Sequence, residues 1–447
     1  MALRALTGIS AGEYRSRRRQ LMDAVGHDGI IVLPAAPERV RSHDTHYPYR
    51  QDSDFHYLCG FGEPGAVLVL VPGRVHGEVI LFCRERNPER EMWDGPRAGT
   101  TGAVSLYGAD DAYPIEDIDD ILPGLLEGRS RVYYHFGKDA EFDLKLIGWV
   151  NSVRARVRHG ARPPHEFLEL GTLLHEMRLF KSEAEVALMR RAAEVSVQAH
   201  RAAMAIVRPG MPEYVLQAEI EKVFRVADGW PAYGSIVGAG ANGCVLHYVA
   251  NNAVAGDGDL VLVDAGAEYR GYAADITRSF PANGRYSAEQ RALYDLVERA
   301  QAAAIALARP GTAWEALHAA AVDVLVDGLL SLGLLEGTHA EAVASGSYLR
   351  FYPHKSGHWL GLDVHDVGDY RIEGQSRLLE PGMVFTIEPG LYIRPEERSV
   401  HARWRGIGIR TEDNLLITEH GHEVLTGALE RSAGDVEAFI AEARGLA

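Results

Sequence analysis

The sequence predicts an α/β (α+β) chain of two domains, the second built from a duplicated unit. Three observations carry this expectation. The chain has 447 residues, more than one hydrophobic core usually organises, so two or three domains are expected. Its first part mixes strand-like and helix-like segments. Its second part runs twice through the same order of helix, helix and strand.

In the first part, "GAVLVLV" (65–71) and "GEVILF" (77–82) are short apolar runs. They read as two strands around a turn at Pro72-Gly73. "RVYYHFG" (131–137) reads as another strand, and "RHGARPP" (158–164), rich in Pro and Gly, as a connector. None of these segments carries an obvious catalytic cluster. A long helix is expected from Ser182, where Ser182 and Glu185 form a capping-box pattern ahead of Val186, Met189 and Ala193 at helical spacing. The domain boundary is therefore placed near residue 177, giving domains 1–177 and 178–447.

The repeat in the second domain is weak but ordered. The helix from Ser182 runs to "RPG" at 208–210, and a second capping-box pattern, Ser287 to Gln290, opens a helix that ends at "RPG", 309–311. A helical segment follows each. Each half then reaches a strand of one pattern, "GDLVLVDAG" (258–266) and "GMVFTIEPG" (382–390). Aligned, the two strands put Asp264 opposite Glu388. A duplicated unit would bring these carboxylates together near a pseudo-twofold axis.

Composition is ordinary for a globular chain, 47% hydrophobic and 24% charged. A formal net charge of −16 repels nucleic acid and anionic membrane, so neither is expected as a partner. No apolar run reaches the roughly 18 residues that span a bilayer, and the first residues have no signal-like apolar core. The three cysteines, Cys59, Cys83 and Cys244, are scattered and odd in number, which implies free thiols in a reducing cytoplasm rather than a disulfide framework.

The densest chemistry is in "HKSGHWLGLDVHD" (354–366), with three histidines and two aspartates in thirteen positions. Trp359, Leu360, Leu362 and Val364 lie among them, so the histidines sit in apolar company. An unpartnered buried ring costs about 1–3 kcal/mol, which points to a metal or substrate. "VLVDAGAEYRGYAADITRSF" (261–280) reads as a hairpin. Pairing about Tyr269-Arg270 would set Asp264 directly across from Asp275. Like charges there are destabilising, and a bound cation removes the penalty; solvated aspartates at strand ends are the plainer alternative. "GIGIRTEDNLLIT" (406–418) alternates, so that one strand would carry Arg410, Glu412 and Asn414 on one face.

Asp264, Asp275, Glu388, Glu412 and one histidine make an oxygen-rich set of five. His358, flanked by glycines, is the preferred histidine. His354 and His365 are then left to contact substrate, and His247 in "NGCVLHYVANN" could line a loop wall. Cys244 nearby lacks an adjoining base and is read as a bystander. Four carboxylates neutralise two divalent cations. Hard oxygen ligands with one imidazole favour Mn²⁺, with Fe²⁺, Co²⁺ or Zn²⁺ as alternatives. Two such metals can lower the pKa of a shared water and supply hydroxide at neutral pH.

At these residues the chain resembles a known family. "VDAGAEYRGYAADITRSFP", "HKSGHWLGLDVHD", "FTIEPGLYI" and "GIRTEDN" resemble the metal-binding blocks of the M24 metallopeptidases. "YRQDSDFHYLCGF" (49–61) and "EMRLFKSEAEV" (176–186) resemble the N-terminal domain and junction of the aminopeptidase P branch, of bacterial type. The resemblance covers nearly the whole chain. It implies a pita-bread catalytic domain, a dinuclear metal site, and cleavage of the bond between an N-terminal residue and proline.

It also implies roles. Asp264, Asp275, His358, Glu388 and Glu412 match the family's metal ligands, and Glu388 its proton shuttle. His247 and His365 match histidines near the scissile bond, and His354 one that lines the proline pocket. Arg410 matches a supporting arginine, Tyr392 a tyrosine near the bridging water, and Trp93 an N-domain tryptophan at the cleft. "HYVANN" departs from the "HYSG" of dipeptidase relatives, which favours the aminopeptidase. An Xaa-Pro dipeptidase, or a non-catalytic peptide-binding module on the same fold, are the competing expectations. The N-terminal domain is expected to narrow access and to mediate assembly into a homo-oligomer, dimer or tetramer.

Overall fold

The computed structural model describes residues 7–445. The chain divides into two compact units, Met1–Arg178 and Leu179–Ala447.

The N-terminal unit is organised by a six-stranded mixed sheet. Its order is Asp111–Pro114, Val79–Cys83, Val67–Leu70, Gly29–Pro34, Arg131–Tyr134, Glu166–Glu169. The two strands expected around Pro72-Gly73 pair antiparallel, Leu70 against Val79. Arg131–Tyr134, taken from "RVYYHFG", lies parallel between Gly29–Pro34 and Glu166–Glu169. The inner strands are continuous apolar runs because helices cover the sheet. Ile30, Val32, Val69, Phe82 and Val132 pack with Leu122, Leu146 and Trp149 into its core. "RHGARPP" begins within a short 3-10 turn, Val157–His159, that Gly160 closes at φ +94°. The strand after it, Glu166–Glu169, has mostly exposed side chains.

The C-terminal unit repeats one arrangement. Helices Glu183–Ile206 and Glu213–Val226 precede strand Leu260–Asp264; helices Ala288–Leu307 and Trp314–Ser331 precede strand Val384–Ile387. Both capping boxes form, with Ser182 accepting from the Glu185 amide and Ser287 from the Gln290 amide. The two Arg-Pro-Gly segments do more than stop helices. Gly210 and Gly311 have φ of +84° and +83°. Their amides donate to Ala255 O at 2.7 Å and Leu379 O at 2.8 Å. The Ala255 and Leu379 amides return bonds to Met211 O and Thr312 O. The repeat therefore extends to individual backbone hydrogen bonds.

Two details differ from the sequence reading. The hairpin is centred on Arg270-Gly271, not Tyr269-Arg270, so Asp264 pairs with Thr277 and Tyr269 with Tyr272. Arg270 and Gly271 both have positive φ, +54° and +89°, the mark of a two-residue turn whose twist matches its strands. The shift is even, so Asp264 and Asp275 stay on one face as diagonal neighbours. Nor is 406–418 one strand. Ile407–Arg410 pairs with Gly390–Ile393, and Asp413–Thr418 with Val384–Ile387. Thr411 and Glu412 form the break, and Glu412 instead bridges to Thr277 of the other half.

The three cysteines are free and buried. Among the described residues no helix is long and apolar enough to cross a membrane.

Candidate metal centre

The expected carboxylates converge where the two halves meet. Asp264 ends the buried strand Leu260–Asp264. Asp275 lies two residues before the next strand, its backbone held by Asn414: the Asp275 amide donates to Asn414 Oδ1 at 3.0 Å and the Asn414 amide group donates to the Asp275 carbonyl. Glu388 follows strand Val384–Ile387 directly, and its amide donates to Ser356 O at 2.8 Å. Glu412, in the break between strands, accepts from Thr277 Oγ1 at 2.6 Å.

His358 completes the set. The His358 amide donates to Thr386 Oγ1 at 3.2 Å, and its Nδ1 lies 2.9 Å from the Trp359 carbonyl. Nε2 faces Asp275 Oδ2 at 3.4 Å and Glu388 Oε1 at 3.7 Å; with the proton kept on Nδ1, Nε2 would be the lone pair offered to a metal. This backbone bond is a common way to fix the tautomer of a ligating imidazole. Asp275, His358 and Glu412 offer ligand atoms that all lie within 4.8 Å of one another.

Arg410 is the buried counter-charge. It donates to Asp264 Oδ2 at 2.6 Å, Tyr392 Oη at 2.9 Å and Thr277 Oγ1 at 3.1 Å. Four carboxylates against one guanidinium leave a large net negative charge in a dry site. Burial pushes the Asp264 carboxyl up to about 6 and that of Glu388 up to about 7, despite Arg410, and pushes Glu412 far above the usual carboxylate range. Burial also opposes the charge of Asp275, but the neighbouring His358 outweighs it and holds that carboxyl low. His358 gains in turn: burial disfavours its charge, yet Asp275 and Glu388 raise it to about 9.

Tyr233, which the sequence reading missed, gives a further sign of charge deficit. Its hydroxyl lies 2.5 Å from both Asp264 Oδ1 and Asp275 Oδ1. One phenolic proton cannot serve two acceptors. Cations between the carboxylates would relieve all these frustrations at once, so the donor set fits divalent metals. Nothing in "GWPAYGS" marks Tyr233: it has no periodicity, and its partners are 31 and 42 residues away.

The remaining candidates surround the carboxylates unevenly. Arg410 donates to Tyr392 Oη, which lies 2.9 Å from His354 Nε2, while His354 Nδ1 lies 2.7 Å from the Lys355 carbonyl. In this chain Tyr392 donates onward and His354 is neutral. Burial, then Arg410, lowers the His354 pKa to about 4. His365 is exposed, its ring edge on His358 at 4.3 Å between centroids. Burial and His358 lower its pKa. His247, on an exposed loop, lies close enough to act electrostatically on His354 and His365. Trp93 is in the N-terminal unit, on the short helix Pro88–Asp94, and is 83% exposed. Cys244 is buried beside Tyr392 and donates only weakly toward Ile393 O.

The comparisons agree with this geometry. Residues 187–419 match the model of metallopeptidase family M24, and residues 14–133 that of the aminopeptidase P N-terminal domain. The chain is 44% identical over 441 residues to the Xaa-Pro aminopeptidase of Escherichia coli, covering 98% of this chain and 100% of that one. To the Xaa-Pro aminopeptidase of Haemophilus influenzae it is 39% identical, covering 98% and 99%. The solved structure of Pseudomonas aeruginosa aminopeptidase PepP superposes with a TM-score of 0.97 at 55% identity, covering 98% of this chain and 99% of that one. The duplicated C-terminal unit is thus the pita-bread fold, and the chain belongs to metallopeptidase family M24, in the branch that carries an aminopeptidase P N-terminal domain.

Proposed function

We propose that the chain is a metal-dependent Xaa-Pro aminopeptidase that removes one N-terminal residue from peptides with proline in second position. The observation that carries this reading is the convergence of Asp264, Asp275, His358, Glu388 and Glu412, from both halves, around a charge deficit that suits two divalent cations. Similarity along nearly the whole chain to Xaa-Pro aminopeptidases supports the substrate class. These five residues would hold the metals. Four carboxylates and one imidazole favour Mn²⁺. Bound there, the metals supply Lewis acidity and a water acidic enough to react at neutral pH.

The chain's own groups do the rest. Glu388 takes the proton of the attacking water and passes it to the departing proline nitrogen. His365, at the exposed edge of His358, donates to the developing oxyanion, with His247 beside it. Arg410 holds Asp264 and Tyr392. The neutral His354 lines the proline pocket. An Xaa-Pro bond is a tertiary amide without N–H, so no donor need be matched at that nitrogen before transfer.

The unit boundary near residue 177, a role for the N-terminal domain in access and oligomerisation, and a contact of Trp93 with substrate belong to the same proposal. The division of the chain after Arg178 supports the first, and the exposure of Met92 and Trp93 the other two. Buried free thiols support a reducing, cytoplasmic setting.

The test is kcat/KM for Arg-Pro-Pro, Arg-Pro and Arg-Ala-Pro with Mn²⁺ supplied. The expected order puts Arg-Pro-Pro first, because residues beyond proline contribute binding energy in the transition state. Arg-Pro as the best substrate would make the chain a dipeptidase. No cleavage with any divalent metal would make it a binding module.

A further inference from the structure

The N-terminal unit, read from sequence as having no chemistry, holds a second group of metal-ligating side chains. Asp54 lies on the helix Ser53–Cys59, His135 directly follows strand Arg131–Tyr134, and His175 lies on the helix Gly171–Leu179. One ligand atom from each lies within 4.8 Å of the other two. Both imidazole Nε2 atoms face one oxygen, Asp54 Oδ2, at 3.0 Å from His135 and 3.3 Å from His175. These are close to the edge of about 3.3 Å separating the ligands of a tetrahedral ion with bonds of about 2.0–2.1 Å.

Three features distinguish this from an ordinary ion-pair network. First, His135 is 7% exposed, and its Nε2 makes no well-aligned hydrogen bond despite its closeness to Asp54. Second, His135 Nδ1 lies 2.5 Å from Glu169 Oε1. A carboxylate behind Nδ1 fixes the proton there and turns the Nε2 lone pair inward, the arrangement found behind metal-bound histidines. Third, Asp54 Oδ1 is held by Arg178 at 2.7 Å, which directs Oδ2 at the imidazoles.

The location also suits a ligand. His135 and Glu169 lie at the carboxyl ends of neighbouring parallel strands, where ligands of α/β sheets usually bind. A cavity of about 290 Å³ opens beside them, lined by Pro34, Ala35, Asp52, His135 and Lys138. It offers a path of entry and room for a water as fourth ligand. The groups in direct contact are Asp54 and Glu169 against Arg178, which is net minus one with both imidazoles neutral; Asp52, Lys138, Arg39, Arg50 and Asp139 line the cavity beside them. Lys138, 4.0 Å from Asp54 Oδ2, is itself paired to Asp52 at 2.6 Å.

We propose that Asp54, His135 and His175 form a divalent transition-metal site, supported by Glu169, that is separate from the carboxylate centre. Two imidazoles and one carboxylate suit Zn²⁺ better than Mg²⁺ or Mn²⁺. The competing account is a proton on His135 in place of the metal.

The experiment loads the full chain with Zn²⁺, removes free metal by gel filtration, and counts bound zinc by mass spectrometry. Wild type should hold one zinc per chain more than His175→Gln, a substitution at a partly exposed position. His358→Ala/Glu412→Ala, which disables the carboxylate centre, should still retain one. Co²⁺ in that double variant should give the visible bands of a four-coordinate ion. Glu169→Gln should weaken zinc binding about 10- to 100-fold. Equal zinc in wild type and His175→Gln, or none in a folded double variant, would overturn the site and leave a protonated His135. Loss of activity in the double variant reports on the carboxylate centre alone, so the two readings fail separately.

Discussion

Arg410 shows how one side chain can organise a charged site. Its guanidinium binds Asp264 and Thr277 and sets the direction of the Tyr392 hydroxyl, which in turn fixes the tautomer of His354. His365 is placed differently: it packs on His358 and presents an exposed edge. His365→Ala should therefore keep the full metal content and lower kcat by roughly 10²-fold or more, as expected for a lost oxyanion donor. A fall in metal stoichiometry in that variant would exchange the roles of the two histidines. At this scale the sequence named the candidate carboxylates and histidines through local pattern. Tyr233 stayed hidden because its two carboxylate partners reach it only through tertiary contact.

The same site depends, one scale up, on close backbone packing between elements. A Cβ on Gly357 would lie 2.0 Å from the Thr386 carbonyl, and one on Gly266 would lie 1.7 Å from that of Ala274. Each contact joins a ligand-bearing segment to its neighbour, next to His358 in one half and Asp275 in the other. Gly357→Ala should push the His358 segment off the strand Val384–Ile387, at a cost of about 1–3 kcal/mol. The expected result is a lower melting temperature and fewer than two metals retained at the carboxylate centre. Wild-type metal content and wild-type stability together would show that the contact relaxes freely. Helix starts at this scale were legible, because a capping box is local chemistry. The turn at Arg270-Gly271 was misplaced by one residue, since "EYRGY" accommodates either register until the flanking strands choose.

Across the molecule, the centre links stability to metal and pH. Without metal, Asp264 and Glu388 have folded pKa values near 6 and 7, above their unfolded values, and Glu412 lies higher still. The folded metal-free state therefore binds more protons than the unfolded one. The stability these groups allow is full below the unfolded carboxylate range of about 4 and is lost as pH rises through 6 to 7. Bound metals take the place of those protons. The gap in melting temperature between metal-loaded and chelated protein should accordingly widen from pH 5 to pH 8. A gap that is constant, or that narrows, would show that these carboxylates are not the groups the metals neutralise.

The sequence by itself determined three strands of the N-terminal sheet, the two helix starts, the duplication and the residue types of the centre. Each rests on local periodicity, capping or spacing, which the chain carries without its fold. The duplication was legible because both copies end helices and strands with the same residues, Arg-Pro-Gly and a carboxylate two before glycine. The tertiary structure decided what depends on contacts between distant segments. It set the register that makes Asp264 and Asp275 diagonal and the break that turns Glu412 toward Thr277. It also brought Tyr233 between two aspartates, and gathered Asp54, His135 and His175 from three elements. Such gatherings leave no trace in local pattern, because the residues that meet are dozens of positions apart and each, alone, is an ordinary polar residue in an ordinary helix or loop.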